Sequence, residues 1–354
     1  MKNKFNLQRT LLALLLILML PLAACAKLPE DLQIVLTTGL TDDEIFRMSG
    51  EVCTKTEFMT YLVNLQKKYE ETYGTEIWEL SLSDESLEER LKGAVLTQLE
   101  QIKIMKLMAD DYAVTLSAEE SSAVEAAAAS YIAGLNETEK QALGLNEEKV
   151  RQMYTEYALA NALYATLIAD VNPEISDDEA RIVTVEQIGI RLQTTDKDGN
   201  TVPLTDTERQ QARAKILEVK RRLAAGEEFD ALISEYNEVG ESILSFGHGE
   251  KEEAYETAAF NLGEGEISEV IETQEGYYLL KCISTFDQEE TEHHKIEILE
   301  QRKSEAFDRE YDAYRASVTE ELNQAAYEEV SFLTDPGITT ASFFETFDAN
   351  YTSE

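Results

Sequence analysis

Apolar residues recur at helical spacing through the first half of the chain and give way to β-branched runs in its middle. Phe58, Leu62, Leu65 and Tyr69 share one helical face. Thr54 and Glu57 stand before that face at capping-box spacing, and Tyr73-Gly74 ends it. Upstream, Ile45 to Cys53 has the pattern of a hairpin with Ser49-Gly50 at its turn. Leu87, Leu91, Val95, Leu99, Ile102 and Leu107 predict a helix from Glu85 to about Asp111. Ser117 and Glu120 cap the next one, alanine-rich through Ala126 to Ala129, which stops near Gly134. Val150, Tyr154, Ala158, Leu163 and Leu167 predict another from about Asn146 to Asp170, broken by Asn172-Pro173. Four or five helices in this stretch predict a small open bundle. Trp78, in a connection, reads as a core plug. Met105, Met108 and Met153 suit either an adaptable apolar groove or core packing, the commoner role.

From Ser176 the pattern changes. Ser176 and Glu179 cap at most a very short helix, and Ile182 to Ile190 is β-branched and reads as a strand. Asp196 to Asn200 is a turn cluster. Thr205 and Glu208 cap a helix over Asp206 to Ala224, which Ala225-Gly226 ends. Phe229, Leu232, Ile233 and Tyr236 predict a short helix, and Glu252 to Phe260 a further one. Glu266 to Glu272 and Tyr277 to Ser284 form a hairpin-like pair. Helical spacing returns from Thr291 to about Asn323 through Phe307, Tyr311, Tyr314, Val318 and Leu322. Val330 to Leu333 reads as a terminal strand closed by Asp335-Pro336-Gly337, and residues 338–354 as frayed. A short strand at Ile34 to Leu36 is a further expectation.

The N-terminus sets the expected compartment. Lys2, Lys4 and Arg9 precede an apolar run from Leu11 to Leu20, too short to span a bilayer and suited to a secretory signal. Leu22-Ala23-Ala24-Cys25 then resembles the lipobox of bacterial lipoproteins, whose cysteine is acylated and becomes the first mature residue. A plain secretory signal with a chance cysteine is the alternative. Cys53 and Cys282 fall in different expected domains, so they read as small buried hydrophobes rather than a disulfide. His248, His293 and His294 make no metal-ligand spacing, and no cofactor is expected. The chain of 354 residues carries a net charge of −39. That balance argues against nucleic acid as a partner, which needs basic patches, and favours solubility and attraction of basic clients.

Several stretches together resemble a parvulin-type peptidyl-prolyl cis-trans isomerase. They are Gly226-Glu227-Glu228-Phe229 with Leu232 and Tyr236, Phe246-Gly247-His248-Gly249, Ala258-Ala259-Phe260, Gly265-Glu266-Ile267-Ser268 and Gly276-Tyr277-Tyr278-Leu279-Leu280-Lys281. The flanking helical segments, with the signal, resemble PrsA-like foldase lipoproteins and SurA-like periplasmic chaperones. The resemblance implies an α+β fold: a helical SurA-N-like module built from both ends of the chain, with an inserted FKBP-like parvulin domain of small antiparallel sheet plus helices. Its expected divisions are a signal over 1–24, a tether over 25–44, the helical module over 45–177, the parvulin-type domain over 178–286, a returning C-terminal helix over 287–335 and a tail over 336–354.

The family's chemistry needs no bond to break. An X–Pro amide has a rotation barrier of about 20 kcal/mol, and an isomerase has only to bind the twisted amide better than either planar form. Carried over by resemblance, the substrate-binding positions are Ile243, Phe246, Lys251, Tyr255 and Phe260, with Lys251 where the family has methionine. The catalytic positions are Gln187, Val239 and Tyr278, where the family has histidine, cysteine or aspartate, and histidine. Thr273 keeps a hydroxyl the family often has. The loop before Ile243 is shorter than usual, so Asn237 or Glu238 is an alternative to Val239. Three readings stay open. One is a membrane-anchored extracytoplasmic foldase that isomerises X–Pro segments of unfolded exported polypeptides. The second is a non-catalytic holdase or peptide-binding lipoprotein with a degenerate parvulin site. The third, a two-lobed solute-binding lipoprotein, would want alternating strand–helix units.

Overall fold

The computed structural model describes residues 39–351 apart from 83, 84 and 198. The signal, Cys25, most of the tether and the strand expected at Ile34 to Leu36 lie outside them. Two compact units emerge: one of residues up to Leu163 together with Tyr314 onward, the other of Tyr164–Ala313.

The first unit opens with strands β1 (Glu44–Met48) and β2 (Glu51–Thr54), antiparallel across the Ser49-Gly50 turn. Helices α1 (Lys55–Tyr73), α2 (Leu87–Asp111), α3 (Ala118–Gly134), α4 (Glu137–Leu143) and α5 (Glu147–Ile168) follow. The short pair β3 (Ser81–Leu82) and β4 (Glu85–Ser86) precedes α2. The Thr54 side chain accepts from Glu57 N at 3.2 Å, as its spacing predicts. The Glu57 carboxylate does not complete a capping box, because it turns inward to Lys103. Ser117 and Glu120 do form the full box on α3, and Asn136 with Glu139 forms another on α4, a helix the apolar pattern did not announce. Met105, Met108 and Met153 are buried core. Trp78 is half-buried rather than a plug, its indole donating to Glu70 at 3.0 Å and its ring 4.4 Å from Phe332.

The C-terminal part of this unit departs from expectation. Strand β11 (Glu320–Leu322) pairs with β1, Phe46 opposite Leu322, and α10 (Gln324–Glu329) follows. No strand forms at Val330 to Leu333. The segment read as a frayed tail instead carries α11 (Phe343–Asn350). Phe343, Phe344 and Phe347 are buried among Tyr61, Tyr131, Tyr154 and Tyr157. Asn64 Oδ1 accepts from Phe343 N at 2.8 Å and the Tyr154 hydroxyl donates to Phe343 O at 2.6 Å. Burying three aromatic side chains outweighs the tendency of a chain end to fray.

The second unit holds a four-stranded antiparallel sheet in the order β8-β5-β10-β9: Ile243–Phe246, Val183–Arg191, Gly276–Ser284 and Ile271–Glu272. Between β5 and the next helix runs a small hairpin, β6 (Gln193–Thr195) with β7 (Thr201–Pro203), around the expected turn. Side chains alternate between the two faces. On one face Ile188, Ile190, Tyr277 and Leu279 meet α6 (Asp206–Ala224) and α7 (Phe229–Tyr236). On the other Val183, Val185, Phe246, Tyr278 and Leu280 meet α8 (Glu253–Phe260). Thr205 and Glu208 form the predicted capping box on α6. Ser176 accepts from Glu179 N at 3.1 Å in a turn, without a helix.

Helix α9 (Gln288–Arg315) lies mostly in this unit rather than with the helical module. The reason is visible in its partners. Thr291 Oγ1 accepts from Ile182 N at 3.2 Å, His294 Nδ1 sits 2.9 Å from Ala180 O, and Arg302 and Lys295 pair with Glu179 and Asp177. The stretch entering β5 is thereby stitched to the helix leaving the sheet. Cys53 and Cys282 are both buried and free. No described helix is long and apolar enough to cross a membrane. The architecture is α+β.

Candidate functional site

A cleft of about 410 Å³ opens on the α8 side of the sheet. The register of β5 against β10 builds its floor. Gln187 is paired with Leu280 and Gly189 with Tyr278, so Gln187 and Tyr278 point to the same face. Gly189 is required there: a Cβ at that position would stand 2.7 Å from a Val239 methyl and 2.9 Å from the Tyr278 ring. The absence of a side chain lets Val239 and Tyr278 close together over the strand.

At the bottom, the Tyr255 hydroxyl donates to Gln187 Oε1 at 3.0 Å, and Gln187 Nε2 donates to Glu241 O at 2.6 Å. Both ends of the Gln187 amide are thus engaged, with Tyr255 and the loop backbone rather than with Tyr278. Tyr255 comes from α8, and its ring meets Tyr278 edge to face at 5.2 Å. Burial pushes both phenols above their ordinary range; for Tyr278 the charge of Glu275 adds to the effect. Neither ionises near neutrality, so both remain neutral hydrogen-bonding groups. Thr273 is buried at the β9–β10 turn, accepting from Glu275 N and Gly276 N, each at 3.1 Å, and interacting with the Tyr278 hydroxyl.

The structure brings Gln187, Val239, Lys251, Tyr255, Thr273 and Tyr278 together in the cleft lining. Of the three neighbours Asn237, Glu238 and Val239, Val239 is the one in that lining. Asn237 is turned away, accepting from Gly189 N at 2.9 Å, and the Glu238 carboxylate is held by Arg191 N at 3.1 Å and Lys215 at 2.6 Å. Ile243 is not in the lining. It is 54% exposed, and strand parity puts its neighbour Leu244 into the cleft instead. In the register of β8 against β5, Leu244 stands opposite Val185 and so shares the face of Gln187, whereas Ile243 stands opposite Glu186. Phe246 lies beneath the lining, buried, 5.7 Å from Tyr255. Phe260 lies further back, stacked 3.8 Å from His248 and with Arg181 4.8 Å over its ring. Arg191 and Gln193 join the lining from the end of β5 and the start of the small hairpin, where no motif marks them. No described group of His, Cys, Asp and Glu has the arrangement of a metal site.

Comparison with known proteins agrees with this geometry. Residues 190–284 match the rotamase family, described as the PPIC-type PPIase domain. Foldase protein PrsA of Caldanaerobacter subterraneus is 24% identical over 251 residues, covering 69% of this chain and 74% of that protein. Foldase protein PrsA 4 of Bacillus cereus is 32% identical over 95 residues, covering 24% of this chain and 34% of its own length. Among solved structures, PrsA from Bacillus cereus covers 84% of this chain and 95% of its own, at 18% identity and a TM-score of 0.35. A SurA-like chaperone from Campylobacter jejuni covers 79% and 99%, at 12% identity and a TM-score of 0.27. Residues 190–284 thus match a PPIC-type, that is parvulin-type, domain, and the chain is similar over about two thirds of its length to a foldase protein PrsA.

Proposed function

We propose that this protein is a lipid-anchored extracytoplasmic foldase whose cleft isomerises X–Pro bonds in exported polypeptides. The anchor would be Cys25, and the helical unit would hold unfolded chain. The observation that carries the catalytic part is the constellation at the cleft floor. Tyr255, Tyr278 and Thr273 place three hydroxyls beside the apolar surfaces of Val239 and Leu244. A proline ring fits against the apolar wall, and neutral hydroxyls favour the twisted amide, whose nitrogen has gained a lone pair and whose carbonyl has lost conjugation. No proton need leave the protein, so phenols with raised pKa suit the task.

A second reading rests on Gln187. Its amide oxygen and nitrogen each already hold a partner inside the protein, at 3.0 and 2.6 Å, which fixes the amide's orientation and leaves a substrate at most one N–H and one lone pair. That favours a cleft that binds proline segments without accelerating them. A protease-coupled proline-peptide assay on the full chain separates the two. The isomerase reading expects turnover above the uncatalysed rate, reduced about tenfold or more in Tyr278→Phe, on the scale of a lost transition-state hydrogen bond. Rates equal to the uncatalysed one, with suppression of client aggregation retained, would leave the holdase reading alone standing.

A further inference from the structure

Aromatic rings crowd together at the surface of the first unit without being enclosed. Helix α1 ends at Tyr73-Gly74, where Gly74 takes a φ of +79° and donates to Glu70 O at 2.9 Å. That positive φ, which glycine adopts without strain, turns the chain into a 3₁₀ turn over Thr75–Glu79. Trp78 there stands 5.9 Å from Tyr69 and 4.4 Å from Phe332, and Tyr73 stands 6.0 Å from Tyr69. Hydrogen bonds fix the rings. The Glu70 carboxylate accepts from Trp78 at 3.0 Å, from Gln66 at 2.7 Å and from Lys67 at 2.8 Å. Gln66 also binds both backbone groups of Leu333, and Glu88 accepts from Phe332 N at 2.9 Å. Yet Tyr73 is 63% exposed and Leu80, just past the turn, 57%, the two most exposed large apolar side chains among the described residues. Single exposed apolar residues are ordinary, but a fixed cluster of them marks an interaction surface. Glu71, Glu76 and Glu79 are exposed around it, and the last turn of α1 has no basic residue against its negative end.

We infer that the patch of Tyr69, Tyr73, Ile77, Trp78, Leu80 and Phe332 is where the helical unit takes unfolded chain, and that it prefers segments in which lysine or arginine flanks an apolar run. This rests on the reading that the helical unit holds exported polypeptide, and it names the place and the class of segment. Apolar side chains of such a segment cover Tyr73, Trp78 and Leu80. Its cations meet the rim carboxylates and the faces of the exposed rings, both of which attract positive charge. A glycan is the other ligand that aromatic surfaces take, by lying flat on them. Here neighbouring rings are inclined to one another by 33°, 51° and 57°, and aliphatic Ile77 and Leu80 stand beside them. That relief suits side chains inserted between rings rather than a sugar laid across them.

Trp78 is the chain's one tryptophan, so its emission reports the patch directly. The full chain is titrated with three decapeptides, free of proline and tryptophan, that share a core of leucine and phenylalanine and carry lysine, serine or glutamate at both ends. The lysine peptide should move Trp78 emission to shorter wavelength and bind about fivefold tighter than the serine peptide, the scale of one or two exposed ion pairs, with the glutamate peptide weakest. In about 1 M salt, where screening acts within about 3 Å, the lysine and serine peptides should converge. Glu71→Gln with Glu76→Gln and Glu79→Gln should bring the same convergence. Tyr73→Ser with Leu80→Ser should weaken all three peptides about tenfold. It should also reduce suppression of aggregation of a basic unfolded client, while the melting curve stays in place because both side chains are exposed. Equal binding of the lysine and glutamate peptides, or an emission that no peptide moves, overturns the proposal. Undiminished suppression of aggregation by the double variant overturns the patch and leaves the holding role of the helical unit intact. Peptide binding at the patch without suppression by the unsubstituted chain does the reverse. Emission moved by chitin oligosaccharides and not by peptides overturns the proposal in favour of a glycan.

Discussion

Lys103 is a single ammonium on which three helices of the first unit converge, and replacing it tests how that unit is held. It projects from α2, fully buried, 2.9 Å from Glu57 Oε1 on α1 and 2.5 Å from Glu156 Oε2 on α5. At an effective dielectric of about 20, each contact is worth on the order of 5 kcal/mol of gross attraction. Taking three ions out of water offsets most of that, so the cluster's net contribution is small. Removing only the cation is another matter, because two carboxylates are left buried without a counter-charge. Breaking such a pair costs about 3–5 kcal/mol, and for a unit of this size roughly 10 °C in melting temperature. Lys103→Met keeps the length and removes the charge. The carboxylates can recover part of the loss by binding protons. Burial, followed by the charge of Glu156, already opposes ionisation of Glu57 and pushes its pKa up to about 7 against the pull of Lys103. Lys103→Met should therefore cost more at pH 8.5 than at pH 5.5. Trp78 is the chain's one tryptophan and lies in the first unit, so urea titration followed by its fluorescence reports that unit selectively. A cost below about 1 kcal/mol at pH 8.5, or a cost independent of pH, refutes the reasoning.

Other consequences are as direct. Glu57 and Glu100, the latter raised to about 8 by burial and by Glu320, have folded pKa values above those of the unfolded chain. Their contribution is complete below about pH 4.5 and is lost as pH rises through 7 to 8. The first unit should therefore melt lower at pH 9 than at pH 6, and Glu100→Gln should flatten that slope; melting curves across the range check both. Leu244→Ala should weaken proline-peptide binding several-fold while Ile243→Ala leaves it unchanged, since only Leu244 lines the cleft; equal effects in calorimetry would restore the family alignment. Phe343→Ala should cost about 3–5 kcal/mol in the Trp78-monitored unfolding, because that ring is fully buried against Tyr61, Tyr131 and Tyr154.

What was legible in the amino-acid order was local. The capping residues Thr205 with Glu208 and Ser117 with Glu120 act over three positions, and their helices start where the spacing says. The parvulin-type frame likewise shows in short motifs between Gly226 and Lys281. The misreadings lie where distant segments decide. Lys103 carries no local signal of its buried role, because Glu57 and Glu156, 46 and 53 positions away, must first be brought to it. Strand β11 exists only because β1 offers it an edge, and its sequence reads equally as the end of a helix. The lining role of Leu244 is set by the register of β8 against β5, which Leu244 enters opposite Val185. The C-terminal helix did leave a signal: Phe343, Phe344 and Phe347 fall on one helical face.

That last helix has a bearing on the order in which the chain can assemble. The sheet-bearing unit is one continuous stretch, Tyr164–Ala313, whereas the core of the other closes around Phe343 and Phe347 and pairs β1 with β11. A chain elongating from its N-terminus thus possesses every residue of the cleft before the helical unit acquires its final aromatic rings. During that interval Tyr61, Tyr131, Tyr154 and Tyr157 lack the partner they later enclose. Emerging polypeptides of this protein would therefore need shelter of the kind proposed for its own clients, until the last turn of α11 is made.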